Sequence, residues 1–221
     1  MSELYPLKAG GIFAAIVIVA AIGRRAHHPF ARLGPANHVT AVRALLVAAV
    51  AGLIGETLTP ALASAALAAS AVATALDGVD GWLARRTAMA SPFGARFDME
   101  VDALLIQVLA ILVWQDGKAG VWVLASGLLR YAFVLAGLVL PWLRRPLSPT
   151  LRGKAICVVQ ILCLLLALAP WIAWPASSMI AGAALAALAC SFAVDVAWLW
   201  RHREDQASSA PAAIEGFEGV R

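Results

Sequence analysis

The stretch Asp77-Gly-Val-Asp80-Gly81-Trp-Leu-Ala84-Arg85, followed after eight residues by Gly94-Ala-Arg-Phe-Asp98-Met-Glu-Val-Asp102, places four carboxylates on hydrophobic segments of a 221-residue chain. Read as helix, Asp77 and Asp80 are spaced i,i+3, and Asp98 and Asp102 are spaced i,i+4. Each pair therefore shares one helix face. Ionisable groups at membrane depth are costly, and they line a bundle interior or a watery cavity rather than face lipid. Gathered with no cation to match them, four acids repel one another. A divalent metal, or a pair of them, resolves that conflict.

The surrounding composition makes this a membrane chain. It is 62% hydrophobic and 14% charged, with a mean hydropathy of +0.84, far from a soluble globular domain. Charges cluster between long apolar runs, which gives spans near 9–23, 38–57, 60–80, 97–114, 119–142, 153–173 and 177–200. Most approach the roughly 20 residues that a bilayer crossing needs. The first, at 15 apolar residues, suits a short span or a helix lying in the interface. Arg24 and Arg25 follow it directly, and no small-residue cleavage site marks a signal peptide. The expected fold is all-α: a polytopic membrane helix bundle of six core transmembrane helices plus a short N-terminal hydrophobic helix. The expected boundaries are 1–34 for the N-terminal segment, 35–203 for the transmembrane domain and 204–221 for a disordered polar tail.

Basic residues sort to one side. Arg24, Arg25 and Arg32, then Arg85, Arg86 and Arg96, then Arg144, Arg145, Arg152 and Lys154, and finally Arg201 and Arg203, occupy alternate connections. The other connections hold Lys118 with Glu56 and Asp116. The positive-inside rule makes the Arg-rich side cytoplasmic and puts the acids near that face, as in a bacterial inner membrane. Topology and contact with anionic lipid then account for the net charge of +4 without nucleic acid. Cys157, Cys163 and Cys190 all lie in apolar spans without metal-ligand spacing and read as small buried hydrophobes. Ala- and Gly-rich runs such as Ala63–Ala71 suit close helix packing in lipid.

Three other readings of the acids fit less well. An EF-hand fails because the third position from Asp77 is Val79 and the twelfth is not Glu. A proton relay gives no reason for glycines and an arginine at fixed places between the acid pairs. A purely structural role leaves four acids hard to keep ionised. The pattern D-x2-D-G-x2-A-R-x8-G-x3-D-x3-D fits at Asp77, Asp80, Gly81, Ala84, Arg85, Gly94, Asp98 and Asp102. It resembles the signature of the CDP-alcohol phosphotransferase family, whose fold is a six-helix membrane bundle with an active site open to the cytoplasm.

That resemblance implies chemistry. Phosphoryl transfer needs charge neutralised on the transferring phosphate and an aligned nucleophile. Two cations about 4 Å apart can grip a diphosphate and stabilise attacking and leaving oxygens. Carboxylate ligands suit Mg²⁺ or Mn²⁺ better than zinc. The resemblance assigns Asp77, Asp80 and Asp98 to two such ions. It makes Asp102 the base that deprotonates an acceptor alcohol while also touching one ion. The alcohol attacks the phosphorus farther from cytidine, and CMP leaves. Gly81, Ala84 and Gly94 would shape the nucleotide pocket, with helix packing an equal alternative for each glycine. Arg85 would support the phosphates or pair with the acids, against an alternative role as a cytoplasmic anchor. Pro35-Ala-Asn37-His-Val-Thr40-Ala-Val-Arg43 resembles the family's P-N-x-L-T-x-x-R entry, with Ala36 inserted and Val39 where Leu is common. Asn37 and Thr40 would contact the nucleotide or cap the helix. Arg43, about one turn inside the span, is expected to snorkel.

The acceptor side resembles phosphatidylglycerophosphate synthases. Arg144 to Lys154, with Gln160, resembles their G-K-x-K-T-x-x-Q region, although Ile156 and Cys157 replace Lys and Thr, and Tyr131 stands where Glu is frequent. Arg130, without a helical acid partner, is expected to face the cavity. Arg130, Arg144, Arg152 and Lys154 together suit an acceptor carrying phosphate. Glycerol-3-phosphate and inositol phosphate both stay open. Glu100, Asp195 and His38 are assigned no chemistry. CDP-diacylglycerol is the expected donor, with a CDP-amino-alcohol donor and diacylglycerol acceptor as the reverse architecture. A non-catalytic or transport-like membrane protein keeping the fold is the alternative from another class. The family implies a homodimer.

Overall fold

The computed structural model describes residues 2–27, 34–87, 89, 91–144 and 151–202, and among them it contains no strand. Seven helices follow in order: α1 Tyr5–His27, α2 Pro35–Ala51, α3 Pro60–Arg86, α4 Pro92–Gln115, α5 Ala125–Val139, α6 Leu151–Leu168 and α7 Ala176–Arg201. Short 3₁₀ turns, Val121–Leu124 and Pro141–Arg144, flank α5. Four apolar stretches are long enough to cross a bilayer: Tyr5–Gly23, Pro60–Arg86, Val121–Val139 and Ala176–Arg201. The chain is an integral membrane protein. The expected 204–221 tail lies outside the described residues.

Local sequence explains where the helices start. Proline opens α2, α3 and α4, where its missing N–H removes no helical bond. The Thr59 hydroxyl accepts from the Leu62 N–H at 3.3 Å, and the Ser91 hydroxyl accepts from Gly94 N–H at 3.0 Å. The observed helices exceed the expected spans, and the Ser91 cap accounts for the earlier start of α4. Helix α3 runs six residues beyond 80, to Arg86, and α4 begins at Pro92 rather than 97. Both halves of the acidic motif therefore lie on helix, joined by the short connection after Thr87.

Small residues then set the packing. The buried face of α3 reads Ala63, Ala66, Ser70, Ala73, Asp77, Asp80, alternating steps of three and four. Four small residues bring the helix close to α2, whose buried face is Asn37, Thr40, Arg43, Ala44, Val47, Ala48 and Ala51. The same stripe that begins as alanine ends as aspartate. Helix α4 sits centrally against α1, α2, α5 and α6. Its Leu105, Leu109, Leu112 and Val113 are almost wholly buried.

Helix α1 is longer than the 9–23 expected, because Tyr5 and Lys8 are drawn into it by partners on α2 and the loop beyond. Tyr5 Oη donates to the Ala49 carbonyl at 3.0 Å, and Lys8 Nζ donates to the Ile54 carbonyl at 3.1 Å and to Glu56 Oε1 at 2.7 Å. Glu56 also accepts from the Ser2 amide at 2.5 Å and from its hydroxyl. The Gln115 side chain closes the clamp by donating to the Glu56 carbonyl at 2.6 Å. On the same end, Lys118 Nζ donates to the Ala169 and Ile172 carbonyls at 2.8 and 2.6 Å, satisfying carbonyls at and beyond the C-terminus of α6. Of the three cysteines, Cys157 and Cys163 are half-buried, but Cys190 is exposed on α7 rather than buried. The α7 backbone places it on an outward face, where an apolar thiol meets lipid without cost.

The Glu56 clamp titrates. The hydrogen bond from Lys8, then those from Ser2, hold its carboxyl at about 2, below the ordinary 4.5. A depressed carboxyl contributes stability that is present above 4.5 and lost as the pH falls toward 2. Glu56→Gln should therefore lower the melting temperature by a few degrees at pH 7. The difference from wild type should shrink as the pH drops through that window, read by thermal scans in detergent across pH.

Candidate active site

The last turns of α3 and the first turns of α4 meet the start of α2 at one end of the bundle. There Asp77, Asp80, Asp98 and Asp102 converge on a single guanidinium, that of Arg43. Its Nη1 lies 2.7 Å from Asp80 Oδ2 and 3.2 Å from Asp77 Oδ1 and also contacts Asp98, while Nη2 contacts Asp102. Its Nε donates to the Ala73 carbonyl at 3.0 Å. Arg43 is 1% exposed. The snorkelling expected for it does not occur, because two helices, α3 and α4, present carboxylates within reach before the side chain could find water. The expectation of acids without a matching cation is corrected in the same way.

The cluster is closed on one side and open on the other. Asp77 and Asp80 are buried, whereas the Asp98 and Asp102 side chains retain 31% and 21% of their exposure. One carboxylate oxygen from each of Asp77, Asp98 and Asp102 lies within 4.8 Å of the others, close enough to share a metal ion. At that separation two carboxylates repel by roughly 3 kcal/mol at an effective dielectric of 20. The group is thus held by positive charge rather than by packing alone. An all-carboxylate donor set with one open side fits a hard divalent cation.

The neighbouring positions divide by role. Thr40 Oγ1 donates to Asp80 Oδ2 at 3.0 Å, within reach also of the Ala36 carbonyl at 3.1 Å, so it fixes an acid rather than capping the helix. Asn37 is buried against the start of α4. A Cβ on Gly94 would stand 2.9 Å from Asn37 Oδ1 and 3.3 Å from Ser91 Oγ, so glycine there lets α2 and α4 touch. A Cβ on Gly81 would meet only Arg85, whose Nη1 would be 3.4 Å away. Ala84 is half-buried, and Arg85 is exposed and folds back over Gly81. Arg86 instead lies over the Trp82 ring, 4.9 Å from its centroid.

The cations assigned to the acceptor are not all free. Arg130 Nη2 pairs with Glu100 Oε1 at 2.5 Å, so an acid partner exists on another helix. Arg130 Nε is buried without a partner. Arg152 pairs with Asp195 on α7. Lys154 Nζ stands 3.9 Å from Asp77 Oδ2 and is 62% exposed, which makes it the assigned cation nearest the acids. Gln160 is buried and donates to Ser126 Oγ at 3.0 Å, joining α6 to α5. The backbone of Arg144 closes a 3₁₀ turn, and its side chain lies outside the described residues, as does Arg145. Sequence reasoning missed Ser91 and undervalued Arg43. A serine just before Pro92 is a readable cap signal, whereas nothing in the spacing reports a contact between Arg43 and acids up to 59 residues away.

On its other face α4 borders an apolar groove of about 550 Å³ between α1 and α5, lined by Ile16, Val19, Phe93, Phe97, Leu104 and Tyr131. Phe93 and Phe97 stack at 5.9 Å along its wall.

The sequence model of the family described as CDP-alcohol phosphatidyltransferase matches residues 34–195, from the residue before α2 to Asp195 on α7. No solved structure matches the chain.

The two motif glycines should respond differently to the same change. Gly94→Ala should destabilise the fold by about 1–3 kcal/mol, because the new methyl must push Asn37 or Ser91 aside. Gly81→Ala should stay within about 1 kcal/mol of wild type, since only the mobile Arg85 tip has to move and alanine favours helix. Thermal unfolding of both variants in the same detergent checks the contrast.

Proposed function

This chain belongs to the CDP-alcohol phosphatidyltransferase family, and from that premise we propose that it moves a phosphatidyl group from CDP-diacylglycerol to a small phosphorylated alcohol. It is a membrane enzyme transferring substituted phosphate groups, as the family is. The observation that carries the finer reading is the convergence of Asp77, Asp80, Asp98 and Asp102 from two helices onto one open-sided site. In this reading Asp77, Asp80 and Asp98 hold Mg²⁺ or Mn²⁺, with two ions shared among the acids. When bound, such ions supply positive charge against the diphosphate oxygens.

The chain's own groups do the rest. Asp102, one turn along α4 from Asp98 and partly exposed, accepts the proton of the acceptor hydroxyl. The freed oxygen forms a bond to the lipid-side phosphorus. The bond from that phosphorus to the bridging oxygen breaks, and CMP leaves with the electron pair. In this reading Gly81 and Ala84 border the nucleotide and diphosphate, and Gly94 acts by letting Asn37 of α2 pack against the start of α4. Asn37, Thr40 and Arg85 border the nucleotide as well.

Lys154, exposed and 3.9 Å from Asp77, is positioned to meet the acceptor's own phosphate. Arg130 adds a buried Nε–H without a partner, and Arg152 is assigned to the same acceptor side, as is Arg144, whose side chain lies outside the described residues. Glycerol-3-phosphate is the acceptor this arrangement favours. The apolar groove beside Phe97 supports a donor with lipid tails. Exposed Arg85, Arg86, Arg96, Arg152 and Lys154 at the site end support the reading of a site facing the cytoplasm, in a bacterial inner membrane. The transferase domain is 35–203, acting as a homodimer.

Purified protein should release CMP from CDP-diacylglycerol with Mg²⁺ or Mn²⁺ and glycerol-3-phosphate. Absence of CMP across a panel of small alcohols and both donor classes would end the enzymatic reading. Asp102→Asn should cut turnover by ~10²–10⁴-fold while keeping metal-dependent CDP-lipid binding. Loss of that binding in a folded variant would make Asp102 chiefly a ligand.

A further inference from the structure

Arg43 is the most deeply buried charge of the site, yet the reaction as read above gives it no step. It comes from α2, while every acid it touches comes from α3 or α4. Its fork is divided: Nη1 serves Asp77, Asp80 and Asp98, and Nη2 serves Asp102. The third donor, Nε, is spent on the Ala73 carbonyl at 3.0 Å. That bond fixes the guanidinium to the α3 backbone independently of any carboxylate. Thr40, one turn earlier on α2, holds Asp80 from the same side. A compact ammonium could not span these partners, because only a planar guanidinium presents donors along two edges at once.

We propose that Arg43 is a resident counter-cation, a positioning residue that gathers the four carboxylates and lets the protein fold with its cation site assembled before a divalent ion binds. This rests on the reading of the acids as cation ligands. One guanidinium offsets one of four negative charges, so the cluster still attracts divalent ions while no longer needing them for its assembly. Without Arg43, the like charges would have only the exposed Lys154 at the rim, 3.9 Å from Asp77, and an external cation to hold them. Folding would then become metal-dependent, as happens whenever a site is not preformed.

The test uses full-length protein in detergent, melted in chelator and in millimolar Mn²⁺, with no turnover measured. Wild type should already be folded in chelator and gain only a modest rise in melting temperature with Mn²⁺, the gain expected of any ion that binds the folded state. Arg43→Gln should lose ~10 °C in chelator and regain most of it with Mn²⁺. Arg43→Lys should fall between them. The double variant Arg43→Gln/Asp80→Asn, which removes one charge of each sign, should recover most of the loss in chelator. It also serves as the readout if the single variant cannot be purified. Arg43→Gln melting within ~2 °C of wild type in chelator would overturn the proposal. So would a loss that neither Mn²⁺ nor Asp80→Asn restores, which would make Arg43 a packing residue only. An Arg43→Gln variant whose melting is indifferent to Mn²⁺ overturns this inference, while the transfer reading stands or falls separately on the CMP-release assay.

Discussion

Carboxylates at the end of an apolar bundle stay together only if positive charge stands between them, and here the first such charge is built into the chain. Arg43 can reach all four acids because α2 and α3 approach closely along Ala63, Ala66, Ser70 and Ala73. A leucine in that stripe would hold the helices apart and strand the guanidinium away from its partners. The dependence runs both ways. A buried arginine stripped of its acids would itself be an uncompensated charge, costing several kcal/mol. The register of α2 against α3 and α4 is therefore set by electrostatics at one end and by small-residue packing along the rest.

The opposite end of the bundle solves a different problem. There Glu56, Lys8, Ser2 and Gln115 tie α1, the α2–α3 loop and the end of α4 together. Lys118 satisfies carbonyls that follow α6, and Ser177 donates to the Lys118 carbonyl at 2.7 Å. Each polar group there is answered by another within the chain. At the site end, the Asp98 and Asp102 side chains keep part of their exposure, and Lys154 is mostly free. One end is stapled and the other left accessible, which suits a bundle that must hold its shape while substrates enter from one side.

This division explains what could be read from the chain and what could not. The acids were legible because their partners in function lie three or four residues away, the distance over which a helix makes neighbours. The small-residue runs and the prolines at helix starts were legible for the same reason. Arg43, Glu100, Asp195 and Lys8 were not, since each finds its partner on another helix or, for Lys8, in the α2–α3 loop, 30 or more residues distant. Hydropathy treats a lysine or arginine near a span end as a boundary or a snorkel. It has no means of knowing that a neighbouring helix offers a carboxylate at that depth. So Lys8, read as lying outside the first span, is inside α1, and Arg43, read as turning outward, points in.

The ion pairs at the site end carry one further consequence. Six carboxylates, Asp77, Asp80, Asp98, Asp102, Glu100 and Asp195, are shared among four cations, Arg43, Arg130, Arg152 and Lys154. The network is left with an excess of negative charge. An anionic diphosphate approaching it meets repulsion, and Arg43 cannot relieve this because its donors are already committed to the acids and to Ala73. Exposed Lys154 and Arg85 lie at the rim rather than inside. Negative charge built into the protein and negative charge on the substrate can share one cavity only across intervening cations. That is the electrostatic reason for divalent ions in the proposed chemistry. In that proposed chemistry two tasks that a sequence motif presents as one are separate: Arg43 gathers the acids, and the acids would then hold the cations that receive the nucleotide.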